Sequence, residues 1–224
     1  MDARLHHPFA CILAGPSNCG KSYFIKNVLE HASSVLTHTP TNIVWIYACW
    51  QNMYRELSQK IPGIKFIEGI PATLNDDSLF PVDRVNMLII DDLMGEAGDS
   101  SEIEKAFTQY SHHRNLSIFY IVQNLFYRGK SSRSIALNAS YIVLFKNPRD
   151  KQQLNVLARQ MYPGKTHFFL EAFEDATSKP YGYLLVDLKN DTPEEYRLRS
   201  GLFAPDLPTV YVLKSGAKTY RRRR

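Results

Sequence analysis

The stretch that decides the fold is "CILAGPSNCGKSYFIKNVLE", residues 11–30. Four apolar residues run into a glycine-bounded loop, and the loop runs into apolar spacing of helical period. "GPSNCGKS", Gly15 to Ser22, fits G-x-x-x-x-G-K-S/T at every fixed position, with a strand expected before it and a helix from about Lys21 to His31 after it. Gly15 and Gly20 let the backbone turn so that successive N–H groups point inward and ring phosphate oxygens. The helix opening near Lys21 aims the positive end of its dipole at the same place. Lys21 would reach the β- and γ-phosphates, and the Ser22 hydroxyl would ligate Mg2+. A chance match to the motif turns up about once per hundred chains at ordinary glycine usage, and the strand–loop–helix context lowers that. The expected nucleotide cradle is Gly15, Pro16, Ser17, Asn18, Cys19 and Gly20, with Lys21, Ser22 and Tyr23 opening the helix, and the expected ligands are ATP and Mg2+.

Outward from the loop, apolar runs alternate with helical patterns. "PFACILA" (8–14), "NIVWIYA" (42–48), "IKFIEG" (64–69), "VNMLIIDDL" (85–93), "LSIFYIVQN" (116–124) and "ASYIVLFKN" (139–147) read as strands. "WQNMYRELSQKI", "SEIEKAFTQYSHH" and "DKQQLNVLARQMY" read as helices, the second capped by Ser100 or Ser101 before an acidic first turn, and a further helix is expected after a short basic segment between the strands at 116–124 and 139–147. "GYLLVDL" and "PTVYVLK" read as late strands added at an edge. Strands that are apolar throughout belong to a parallel sheet covered on both faces, which makes this an α/β three-layer sandwich. No internal repeat or low-complexity linker divides the chain. One domain is expected over residues 1–213, with a basic, disordered tail over 214–224.

A phosphate loop needs a carboxylate on a second strand to complete the magnesium shell. "MLIIDDL" supplies Asp91 at a strand end, expected to face Ser22, and Asp92 beside it as a candidate general base that orients the attacking water. Asp in place of the longer Glu shortens the reach of that base by one methylene. "SIFYIVQN" then ends a buried strand in Gln123 and Asn124, placing an amide within reach of a γ-phosphate. A complete extra strand lies between the loop strand and the acidic strand in sequence, and the amide-bearing strand follows the acidic one. That order is the additional-strand class of P-loop ATPases, with an expected sheet order of 5-1-4-3-2 and the Gln123 strand between the loop strand and the acidic strand.

The bulk numbers agree with a soluble globular chain: 224 residues, 44% hydrophobic and 22% charged. No apolar run approaches the roughly 20 residues that span a bilayer, and "MDARLHHPF" lacks a signal-peptide pattern. Cys11, Cys19 and Cys49 form no CxxC pair and read as reduced thiols of an intracellular protein. His6 with His7, and His112 with His113, lack a third ligand at metal spacing. The net charge of +5 suits an anionic partner without naming one.

Four motifs together, "AGPSNCGKSYF", "MLIIDDLM", "HHRNLSIFYIVQNLF" and "YIVLFKNPRDKQQL", with "YLLVDLKNDTPEEYRLRSGLF" near the end, resemble the viral genome-packaging ATPases of the FtsK/HerA superfamily. The likeness is to the poxvirus-type and virophage, Polinton or adintovirus-like members, and it spans about residues 8–204. It implies a ring of five or six identical subunits that hydrolyses ATP and pumps double-stranded DNA into a capsid. Capsid or portal vertex proteins are then partners, and the host nucleus, the virus assembly site or the virion is the place of work. Lys21 and Ser22 carry over as phosphate and Mg2+ contacts, Asp91 as the metal carboxylate, Asp92 as the catalytic acid and Gln123 as the sensor. A ring ATPase also needs an arginine supplied across the subunit interface. Arg114 is the first choice, with Arg128, Arg133 and Arg149 open. Nothing in the chain is large enough for a second, nuclease domain, and no membrane segment of the kind found in bacterial chromosome pumps is apparent.

DNA in such a pore would be held through its phosphates. The candidates are Arg128, Lys130 and Arg133 in "FYRGKSSR", and the terminal Arg221, Arg222, Arg223 and Arg224. Two other functions remain open on the residues alone. One is a nucleoside or nucleotide kinase, which the acid pair and the Gln123 strand fit poorly. The other is a nucleotide-gated assembly factor with negligible turnover.

Overall fold

The computed structural model describes residues 2–93, 100–126 and 131–213. Its strands are β1 (Ala10–Ala14), β2 (Asn42–Tyr47), β3 (Ile64–Glu68), β4 (Asn86–Asp91), β5 (Leu116–Val122), β6 (Tyr141–Phe145), β7 (Tyr183–Asp187), β8 (Leu198–Ser200) and β9 (Thr209–Tyr211). They form one sheet in the order β3-β2-β4-β5-β1-β6-β7-β8-β9. From β3 to β6 every pairing is parallel, and β7, β8 and β9 extend the β6 edge antiparallel. The run β6-β1-β5-β4-β2 is the expected 5-1-4-3-2, with β3 added outside β2. Every residue of β1, β2, β4, β5 and β6 is buried. That is why these strands read as unbroken apolar runs rather than as alternation.

Period-two geometry sends successive side chains to opposite faces. Cys11 and Leu13, Trp45, Ile89, Phe119 and Ile121 face a layer made by α1 (Lys21–Glu30), α2 (Ala32–Val35) and α3 (Asn52–Lys60). Ala10 and Ile12, Leu88, Ile90 and Tyr120 face the other layer. That layer begins with α4, which starts as Ser101–Lys105, passes through a π-helical turn at Ala106–Tyr110 and ends with Ser111–His113. It continues with α5 (Ser132–Leu137), α6 (Gln152–Met161) and α7 (Thr166–Ala176). Ser100 caps α4, its hydroxyl accepting from Ile103 N at 3.4 Å.

Three elements depart from the sequence reading: the one-turn α2, which lies past the expected helix end at His31, together with α7 and β8. Helix α7 falls in a stretch assigned to no element, because Lys165 at its N-cap makes no side-chain capping bond and "THFFLEAFEDA" offers no start signal. Strand β8 is three residues long, too short for any period to show. Of the DNA candidates, Arg133 lies exposed on α5, while Arg128, Lys130, Arg221, Arg222, Arg223 and Arg224 lie outside the described residues.

Candidate nucleotide site

Strands β1, β4 and β5 run in the same direction, so their C-terminal ends bring three sequence-distant motifs to one edge of the sheet. The loop after β1 enters α1 through Gly20, at φ +107. A left-handed turn there is open to glycine at little cost. At Gly15 the constraint is space, since a Cβ would stand 2.7 Å from Cys19 Sγ and 2.8 Å from Phe145 Cβ. No side chain caps the start of α1, and its first turn carries no acid. The first N–H groups and the positive dipole end therefore remain for an external anion. An isolated ten-residue helix is marginal in water; Phe24, Ile25, Val28 and Leu29, all buried on the sheet, hold it in place.

Lys21 turns back over its own loop. Its ammonium donates to Gly15 O and Pro16 O, each at 2.7 Å. Burial pushes its pKa down, opposed by the nearby Cys19, Asp91 and Asp92. Asp91, 3% exposed, ends β4 opposite the start of α1, and Ser22 Oγ lies 3.5 Å from its Oδ2. Burial raises the Asp91 pKa, and the hydrogen bond donated by Tyr54 opposes that rise. The chain then turns at Asp92, at φ +56, a conformation that Asp tolerates better than most side chains. The turn brings Asp92 beside β5, where Gln123 Nε2 donates to Asp92 Oδ1 at 3.3 Å.

The geometry thus gathers Lys21, Ser22, Asp91, Asp92 and Gln123 around one cleft of about 510 Å3, whose walls also include Ser17, Asn18 and Tyr23. Its size lies in the range of small-molecule sites. Hard oxygen donors from Ser22 and Asp91 are the pair that an Mg2+ carried on a triphosphate requires from protein, the remainder coming from phosphate and water. Arg114 stands elsewhere. It precedes β5, so the length of that strand, roughly 20 Å, separates it from the cleft of its own chain. Its Nε donates to Asn75 Oδ1 at 2.7 Å, and its Nη1 contacts Asp77 and Phe80 O.

Sequence reasoning missed Tyr54. Its hydroxyl donates to Asp91 Oδ2 at 2.8 Å from a fully buried position on α3. Burial together with the adjacent Asp91 charge drives its pKa far up, so it stays a donor. The phenol sits in an aromatic nest: Trp45, Trp50 and Phe66 have ring centroids 5.2, 5.5 and 4.9 Å away. Tyr54 and Asp91 are 37 residues apart, and only the folded sheet makes them neighbours.

Strand order, loop and acidic strand together define the P-loop NTPase fold in its additional-strand form. Solved structures share this fold with the chain. The genome packaging NTPase B204 from Sulfolobus turreted icosahedral virus 2, in complex with sulfate, superposes with a TM-score of 0.57 at 15% identity, covering 84% of this chain and 95% of that one. Its complex with ATP-gammaS gives 0.56 at 18% identity, over 82% and 94%. B204 from Sulfolobus turreted icosahedral virus, described as a DNA-packaging ATPase, gives 0.53 at 14% identity, over 92% and 98%. No family model and no curated protein matches the sequence.

Proposed function

We propose that the chain is an ATPase that drives double-stranded DNA, working as a ring of five or six copies at a capsid or portal vertex during viral genome packaging. The observation that carries this is the convergence of the Lys21 loop, the Ser22–Asp91 contact at 3.5 Å and the Asp92–Gln123 contact at 3.3 Å on one cleft. A kinase needs the first two; the acid–amide pair on the neighbouring strand is what water activation and γ-phosphate sensing need. The fold shared with B204, itself a packaging NTPase, supports the same reading.

In this reading an incoming triphosphate offers Lys21 anionic oxygens in place of the two loop carbonyls, and the bare N-terminus of α1 takes the phosphates through backbone N–H groups. Ser22 and Asp91 would hold Mg2+, which would supply neutralisation of phosphate charge. Asp92 orients and accepts a proton from the attacking water, and Gln123 holds Asp92 toward that position. Arg114 acts, if it is the finger, on the nucleotide of a neighbouring copy. Arg128, Lys130, Arg133 and the terminal arginines hold DNA through its phosphates, without reading sequence.

The test is steady-state ATP hydrolysis with and without linear double-stranded DNA, beside Lys21→Ala. Turnover should rise with DNA, collapse in the variant, and lose its stimulation steeply as salt increases, because each neutralised phosphate adds about 0.9 to the log–log slope. Hydrolysis that ignores DNA at every salt concentration would remove the motor reading and leave a plain NTPase.

A further inference from the structure

The phosphate cleft does not end at the loop. Gly20, Tyr23 and Tyr181 line it, and the same three residues line a second cavity of about 630 Å3 on the side away from Asp92 and Gln123. Tyr181 stands at the junction. Its ring lies on the last glycine of the loop, where a Cβ at Gly20 would meet Tyr181 Cδ1 at 3.0 Å. The ring is 67% exposed, so burial does not explain its presence. Its backbone sits at φ +61, in the left-handed region that costs a non-glycine residue roughly 1–2 kcal/mol. An exposed aromatic held in an unfavourable conformation between α7 and β7 is a candidate functional position, since strain of this kind collects at ligand sites.

The chemistry of the second cavity differs from that of the first. Its charged lining is Asp175, Asp206 and Lys179, an acidic balance that disfavours phosphate. Tyr211 Oη donates to Asp175 Oδ2 at 2.8 Å, which engages the far wall internally. On the near wall, Tyr23 and Asn27 are four residues apart on α1 and therefore share one face. The Asn27 side-chain amide is half-buried, lines the cavity and makes no hydrogen bond to any described residue. It lies about 7–8 Å along the helix axis from Ser22. An aromatic plane beside a carboxamide that offers one donor and one acceptor is the recognition set for an adenine edge.

The orientation of a bound triphosphate follows from the walls. Asp91, Asp92 and Gln123 attend its γ end, so the nucleoside leaves the loop on the Tyr23 and Tyr181 side. Resting on the nucleotide reading of the loop, we propose that this cavity is its nucleobase subsite, with Tyr181 as the stacking platform and Asn27 as the reader that favours adenine over guanine.

The test is equilibrium binding of ADP, GDP and inorganic tripolyphosphate by calorimetry, with Mg2+ present, to the full chain and to Tyr181→Gly, Tyr181→Phe and Asn27→Ala. Glycine accepts the left-handed backbone, so Tyr181→Gly removes the ring without straining the turn. It should weaken ADP about tenfold, leave tripolyphosphate within about twofold, and not lower the melting temperature. Tyr181→Phe should bind ADP like the parent. Asn27→Ala should bring ADP and GDP, about tenfold apart in the parent, to similar affinities. The proposal falls if Tyr181→Gly leaves ADP binding unchanged, or weakens tripolyphosphate by the same factor. If tripolyphosphate binds the parent as tightly as ADP, the base subsite fails while the phosphate site stands. If neither binds, both fail.

Discussion

Tyr54 donates to Asp91, the carboxylate expected to serve a metal. A carboxylate that is 3% exposed is pushed by burial toward its neutral form, and the phenol, together with the Ser22 hydroxyl, lies within reach of Oδ2. Removing the phenol oxygen leaves the ring nest intact and frees Asp91 to rotate. Tyr54→Phe should therefore keep the fold, at a stability cost of about 1 kcal/mol, and shift the Mg2+ concentration needed for tight nucleotide binding upward severalfold. A calorimetric titration of nucleotide at stepped Mg2+ concentrations reads this directly, and an unchanged Mg2+ dependence would assign Tyr54 to packing alone. A second residue-level case is His7, which sits at the opposite end of the sheet. Its Nδ1 lies 2.6 Å from Ser117 Oγ and its Nε2 2.8 Å from Asn115 Oδ1. Phe9 N also donates to Ser117 Oγ, at 3.3 Å. Desolvation lowers the His7 pKa. The unfolded chain then binds the proton more tightly, and stability is complete above the ordinary imidazole value of about 6.5 and lost as pH falls through the lower folded value. Melting temperature against pH should show this loss, and His7→Gln should flatten it.

At the scale of elements, the antiparallel extension carries a buried ion pair between β7 and β8. Arg199 on β8 donates from Nη2 to Asp187 on β7 at 2.8 Å, with Arg199 5% and Asp187 3% exposed. Arg199 Nη1 also reaches Ala3 O at 3.3 Å, tying the chain's first residues to its last strands. Breaking such a pair leaves an uncompensated buried charge. Asp187→Asn should cost about 3–5 kcal/mol in chemical denaturation, and the double change Asp187→Asn with Arg199→Met should recover part of it. The central strands were legible in the sequence because both of their faces are buried, which leaves apolar runs too long to mistake. At the edge β7 and β9 were legible as late strands, while β8 was not, since it is three residues long. The loop, Ser22, Asp91 and Gln123 were legible as motifs with fixed spacing. Tyr54 and Tyr181 were not, because each touches a neighbour supplied by a distant element.

For the whole molecule, the sheet has two unlike ends. The C-terminal ends of its parallel strands carry the nucleotide cleft, and Arg114 lies at the other end, its side chain 13% exposed and held by Asn75, Asp77 and Phe80. If Arg114 serves a neighbour's phosphates, the ring contact must join opposite ends of successive copies, a head-to-tail arrangement that closes only at a fixed subunit number. Mixing separates this from a structural role. Subunits carrying Arg114→Ala and subunits carrying Lys21→Ala, each inactive alone, should regain part of their hydrolysis when combined, because some interfaces then pair an intact loop with an intact arginine. No recovery, with Arg114→Ala lowering the melting temperature, would make the residue a brace for the loop around Asp77 and Phe80.

The aromatic nest around Tyr54 has an optical consequence. The chain's tryptophans are Trp45 and Trp50, and both rings pack on the phenol whose oxygen touches Asp91. Trp50 is half exposed to solvent and Trp45 is sealed. The protein thus carries two indole emitters, one wet and one dry, wired to the carboxylate expected to bind the metal. Ordinary tryptophan emission, followed in a stopped-flow instrument without any label, should change in intensity when Mg2+ and nucleotide arrive together, and Tyr54→Phe should mute that signal.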